Sequence, residues 1–146
     1  MIKYILVFVV IFTVMSCEKE LEENVEPILE FQSMTPAVVS ELVEEITIEI
    51  KYSDGDGNLG ANSSSSSVKN LFVTDSRNQV VNSFRVRQLA PDDANIAIEG
   101  SLVVTISPLV ITDGSVSEVG VFSIYMTDRA GNKSNVIVSD IFTVNK

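Results

Sequence analysis

The chain contains no histidine and no tryptophan, and a single cysteine in 146 residues. One cysteine forms no internal disulfide, and without histidine the usual zinc ligand sets cannot be assembled. A Ser-His or Cys-His nucleophile pair is excluded on the same ground, as is a histidine general base. Cations are scarce too: ten Lys and Arg stand against twenty Asp and Glu, a formal charge of −10 at pH 7. A chain this acidic lacks the basic face that phosphate backbones require, which argues against nucleic acid as a partner. What remains is enough for one domain of ordinary size with a real core.

Lys3 precedes an apolar run from Tyr4 to Val14 that only Thr13 interrupts. Eleven residues of helix rise about 16 Å, against roughly 30 Å of bilayer hydrocarbon, so a secretory signal is the better reading than a spanning helix. The run ends in Val14-Met15-Ser16-Cys17. These four residues resemble the bacterial lipobox, with Met15 where Ala or Ser is more usual. The resemblance implies removal of residues 1–16 and diacylation of Cys17, which anchors the chain in a membrane. Each buried methylene contributes about 0.8 kcal/mol, so two or three acyl chains hold a folded domain there durably. Ordinary signal cleavage with an incidental cysteine is the alternative. Removal of 1–16 takes one cation and no acid, making the formal charge −11.

Residues 17–26 carry five glutamates and little apolar surface, the composition of a flexible tether. An acidic stretch directly after a lipidated cysteine resembles the surface-export signal of Bacteroidetes lipoproteins. That resemblance implies an outer-membrane protein at the cell surface; a periplasm-facing location is the alternative.

From residue 27 onward the hydrophobic period is two. Ile46, Ile48, Ile50 and Tyr52 share one face of a strand, and Thr47, Glu49 and Lys51 the other. Ile96, Ile98, Leu102, Val104 and Ile106 form a second series, in which Gly100 marks a bulge or a close packing contact. Shorter strands are expected over 29–34, 68–74, 80–87, 119–127 and 136–144, the last slipping phase near Ser139-Asp140. No window carries a helical stripe. About seven short strands between turn clusters predict an all-β fold over 27–146: an antiparallel, immunoglobulin-like or fibronectin-like β-sandwich. Ser63 to Ser67 are a low-complexity loop, with no base available to activate a nucleophile.

If neighbouring strands alternate in direction, the loops 53–67, 88–95 and 128–133 return to one end of the sandwich. They carry Asp54, Asp56, Asn58 and Asp128, with Asp92, Asp93 and Asn132 as secondary members. Carboxylate and amide oxygens are hard ligands of the kind Ca²⁺ takes six to eight of. The clustering depends on the strand count, because one strand more or fewer in the middle would scatter it. The local sequence Asp54-Gly55-Asp56-Gly57-Asn58-Leu59-Gly60 resembles the opening of an EF-hand loop. It departs from that pattern at Leu59, where the sixth position requires Gly, and at Ser65, where the twelfth requires Glu. Two readings stand: a calcium loop completed by ligands from elsewhere, and a Gly-rich turn whose Asp and Asn bond their own backbone.

Residues Tyr52 to Gly60 and Tyr125 to Asn135 together look like a set of small Bacteroidetes lipoproteins of uncharacterised function. The later stretch also resembles the last hairpin of bacterial immunoglobulin-like domains, where an Asp and a Gly-Asn pair shape the turn. The resemblance implies an extracytoplasmic immunoglobulin-like module and no particular activity. In Asp128-Arg129-Ala130-Gly131-Asn132 itself, Gly131 suits positive φ and Asn132 a local bond, so a turn is the first reading and a ligand role for Asp128 the second.

Three classes of function are compatible with these residues. The first is a non-catalytic binding or structural module of the envelope, its partner an envelope protein or a glycan, with calcium as the one cofactor in prospect. Sugar binders usually stack ligands on aromatics; the absence of Trp demotes that ligand. The second is an inhibitor of a basic envelope or host enzyme, which the charge permits. The third is a glycosidase using two carboxylates, Asp92 with Asp93 or Asp54 with Asp56. A general acid needs a pKa raised by burial, and exposed turns do not supply one, so no enzyme is expected.

Overall fold

A computed structural model of the chain describes residues 25–62 and 67–146. The signal peptide 1–16, Cys17, residues 18–24 of the tether and Ser63 to Ser66 lie outside the described residues.

The body is all-β, with no helix among the described residues and ten strands in three sheets. In chain order they are β1 (Ile28–Thr35), β2 (Val38–Ser40), β3 (Ile46–Asp54), β4 (Leu71–Asp75), β5 (Val81–Phe84), β6 (Ile98–Ile106), β7 (Ser117–Gly120), β8 (Phe122–Met126), β9 (Ile137–Val138) and β10 (Phe142–Asn145). One sheet has the order β1-β3-β6, a second β5-β4-β8-β9, and a third β2-β10-β7. All ladders are antiparallel except that of β2 with β10.

Ten strands replace the expected seven or so because two of the expected strands, 119–127 and 136–144, are each divided, and β2 lies outside all of the expected ranges. Pro36 has no N–H for a ladder, and after the cis Thr35–Pro36 peptide the chain leaves β3 and joins β10 as β2. The last two expected strands break opposite one another, between β7 and β8 at Val121 and between β9 and β10 at Ser139–Ile141. At that break the Ser139 hydroxyl accepts from Phe122 N (2.9 Å) and donates to the Asp140 carbonyl (2.7 Å). The phase slip expected there is this interruption. The expected strand 80–87 is shorter, because Arg87 leaves β4 to bridge Ala61 in parallel.

Alternation explains the core. Ile46, Ile48, Ile50 and Tyr52 on β3 face Leu71 and Val73 on β4 and Phe122, Ile124 and Met126 on β8 in one buried cluster. Full burial of such a side chain contributes roughly 1.5–3 kcal/mol, and the two layers of strands close on each other to achieve it, a sandwich-like arrangement. Gly100 pairs with Tyr52 without a register shift. A Cβ there would meet the Tyr52 ring and hydroxyl, so this glycine is a close packing contact.

Two asparagine side chains take the place of main-chain partners. The Asn135 amide accepts from Leu29 N (2.7 Å) and donates to the Leu29 carbonyl (2.9 Å), as an adjacent strand would. Asn70 does the same for Val86, at 2.7 and 3.1 Å.

Candidate functional site

Dividing a strand in line does not change its direction, so the loops alternate between the two ends as expected. Ile28 pairs with Ser53, and Asp54 with Ile98. The loop after β3, the loop before β6 and the loop after β8 therefore share one end. The Asn62 amide donates to Asp92 (2.7 Å), and Arg129 lies 3.7 Å from Asp92. Arg129 N donates to the Asn58 carbonyl (3.2 Å), and its guanidinium reaches the carbonyls of Gly57, Leu59 and Gly60, each at 3.5 Å. Two glycines press the first loop onto the second. Gly57 (φ 72°) and Gly60 (φ 93°) occupy the left-handed region, and a Cβ on either would collide with a backbone carbonyl, that of Ile96 or of Arg87.

The centre of this pole is Asp54. It continues the inward series of β3, 46-48-50-52-54, and is only 3 % exposed. The loop then turns back and drops Leu59, fully buried, into the core. That is the physical reason the sixth position of the motif is leucine. Leu59 N donates to Asp54 Oδ2 at 2.8 Å. Asp54 Oδ1 is buried without a hydrogen-bond partner, and so is Asn58 Oδ1. Asp56 accepts from Asn58 N (3.3 Å) and Asn58 Nδ2 (2.5 Å). Burial pushes the Asp54 carboxyl up to about 6; the Leu59 N–H opposes this, and the nearby charges of Asp56 and Asp128 act in the same direction as burial.

The remaining residues named from sequence are differently engaged. Asp128 ends the inward series 122-124-126-128 of β8 and accepts from Asn132 N and Asn132 Nδ2, both at 2.8 Å. Asn132 Nδ2 also reaches the Val25 carbonyl at 3.2 Å. Both oxygens of this carboxylate thus shape the 128–132 turn. Asp92 accepts from Asn62 and Gln88, and Asp93 is exposed on its loop. Among the described residues no three carboxylates gather as a ready metal cage, so any cation here takes amide or main-chain oxygens as well.

A cleft of about 260 Å³ opens beside the pole, lined by Gly60, Asn62, Asn70, Thr127, Asp128 and Arg129 among others. Asp54 does not line it. Of the carboxylates named as pairs from sequence, Asp54 is 3 % exposed and Asp56 half-buried, while Asp92 and Asp93 are exposed on their loop.

A second polar cluster, not anticipated from sequence, lies at the opposite end. Arg77 bridges Asp75 (2.7 Å) and Glu118 (3.2 Å), its side chain 2 % exposed. It also donates to the Val110 carbonyl (3.0 Å) and lies over the Phe142 ring. Glu118 in turn accepts from Thr112 N (2.8 Å) and the Thr112 hydroxyl. The signal was available: Asp75 ends the inward series 71-73-75 of β4, which places its carboxylate inside, where it needs hydrogen-bond or ion-pair partners.

Comparison with protein-family models, with characterised proteins and with solved structures returned no match in any of the three.

Proposed function

We propose that this chain is a lipid-anchored, non-catalytic immunoglobulin-like module of the cell envelope, held through Cys17 and binding a protein partner with its far end. The observation that carries the binding role is the asymmetry of the two ends. β1 starts at the loop pole, where Val25 touches Asn132, so a tether from Cys17 arrives at that pole. The other end presents Leu42 (67 % exposed), Val43, Val110 and Val116 (79 % exposed) around the 40–46 and 107–116 loops. Leu42 is held at φ 61°, a conformation that costs a non-glycine residue energy. Its N–H bonds the Leu109 carbonyl at 2.8 Å and Glu41 N bonds the Asn145 carbonyl at 2.7 Å. An apolar tip displayed on a fixed loop, away from the anchor, suits recognition.

The immunoglobulin-like assignment is supported by the strand order, β1-β3-β6 against β5-β4-β8-β9, with β2 crossing to lie parallel to β10. The exposed Glu44, Glu45 and Asp113 near the apolar tip favour a basic partner surface, which also fits an inhibitor of a basic enzyme.

Two measurements test this reading. Cells fed an alkyne-tagged fatty acid label the chain, and Cys17→Ser abolishes the label and releases the protein from the membrane fraction. Protease added to intact cells degrades the chain if it lies on the surface. An unlabelled wild-type chain recovered free of membrane contradicts the anchored module.

A further inference from the structure

We infer that the turn Asp54–Asn58 is a divalent-cation site for calcium, with Asp54 Oδ1, the Asp56 carboxylate and Asn58 Oδ1 as its side-chain ligands. The inference is independent of the anchoring and of the partner proposed above.

Three features of the turn require it together. First, Asp54 Oδ1 and Asn58 Oδ1 are both closed off from solvent and meet no donor. A buried acceptor without a partner is costly, more so when it is charged, and two in one five-residue turn is an arrangement a cation resolves. Second, the charges of Asp56 and Asp128 both bear on the buried Asp54 carboxyl, whose Oδ2 takes the Leu59 N–H, and no basic side chain offsets them there. Arg129 is turned instead to the main-chain carbonyls of 57, 59 and 60 and to Asp92. Third, every atom offered is oxygen, with two carboxylates and one neutral amide, the donor set of a hard cation. Ca²⁺ tolerates varied ligand number and geometry, whereas Mg²⁺ demands near-octahedral geometry and parts with water reluctantly.

The ligand set is narrower than the whole acidic pole. Asp128 is bonded to Asn132 and Asp92 to Asn62 and Gln88, and neither lies in the five-residue turn that carries the two unpartnered oxygens, as Asp56 does. These two shape the walls and contribute charge to the field.

The test is thermal unfolding of the full chain in detergent at pH 7.5, in chelator, in 5 mM Ca²⁺ and in 5 mM Mg²⁺. Calcium is expected to raise the melting temperature by about 5 °C or more over chelator, and magnesium by less. Asp54→Asn, which can keep the Leu59 bond, abolishes the calcium response, and Asp92→Asn retains it. Asn58→Asp adds a third carboxylate: it lowers the melting temperature in chelator and lowers the calcium concentration needed for half of the rise. Equal melting temperatures in chelator and calcium overturn the site. So does an Asn58→Asp chain that melts lower in chelator and gains nothing from calcium, or a calcium response that survives Asp54→Asn.

Discussion

Asp54 and Leu59 hold each other in place: the leucine is fully buried, and its N–H bonds one oxygen of the aspartate at 2.8 Å. The other oxygen is left without a donor. Core packing thus fixes a carboxyl group under the loop pole, where its charge is costly, and the behaviour of the pole follows from that cost.

The first expected consequence is in the pH dependence of stability in chelator. The Asp54 carboxyl stands at about 6 in the folded chain, above the ordinary value of 3.8. The folded state therefore binds the proton more tightly than the unfolded state does. This contribution favours folding fully below about pH 4 and is lost as pH rises through 6. Asp54→Asn removes the charge and keeps the Leu59 bond, and its side-chain N–H₂ can donate to Asp56. At pH 7.5 the variant is expected to be more stable than the parent by on the order of 2 kcal/mol. Urea denaturation at pH 4.5 and 7.5 checks this: the difference shrinks at the lower pH, and a constant difference contradicts it.

At the opposite end, Arg77 neutralises two buried carboxylates, Asp75 and Glu118. Arg77→Ala leaves both without a counter-charge and is expected to cost about 3–5 kcal/mol. Replacing all three, as Asp75→Leu, Arg77→Met and Glu118→Leu together, removes the charges as a unit and recovers most of that loss. Denaturant midpoints of the single and triple variants measure both.

Asn135 stands in for a strand by pairing with both main-chain groups of Leu29. Asn135→Ala strands those two groups and is expected to destabilise the fold by about 1–3 kcal/mol. Hydrogen exchange at the Leu29 amide accelerates more than exchange on β4, because the clamp acts at the first strand. Unchanged protection of Leu29 would show that its neighbours hold it without Asn135.

Much of this architecture was legible in alternation. The faces of β3 and β6 follow from 46-48-50-52 and from 98-102-104-106, and the interruption near Ser139 from the slipped phase; Ile96, expected in the same inward series, is exposed and lies before β6. The shared pole of the three loops was also accessible, because the divided strands keep their directions. Two kinds of feature escaped. Asn70, Ser134, Asn135 and Ser139 imitate main-chain bonds with their side chains, and short polar residues in a β-rich sequence look the same whether buried or exposed. Charged residues can close an inward series, whereas the sequence reading places Asp54 and Asp128 in loops, as turn residues or calcium ligands. Asp54, Asp75 and Asp128 each sit one alternation beyond an apolar run; extending the period past the last hydrophobic residue would have placed all three inside. Arg77 could not be paired by that route, since Glu118 lies 41 residues away.

The most direct measurement is a crystal structure of the chain grown in calcium, with data collected at a wavelength where calcium scatters anomalously. An anomalous peak about 2.3–2.6 Å from Asp54 Oδ1, the Asp56 carboxylate and Asn58 Oδ1 is the result expected. Asp54 and Asp56 in direct hydrogen-bond contact, with no such peak between them, would contradict the account and make the pole a protonated turn.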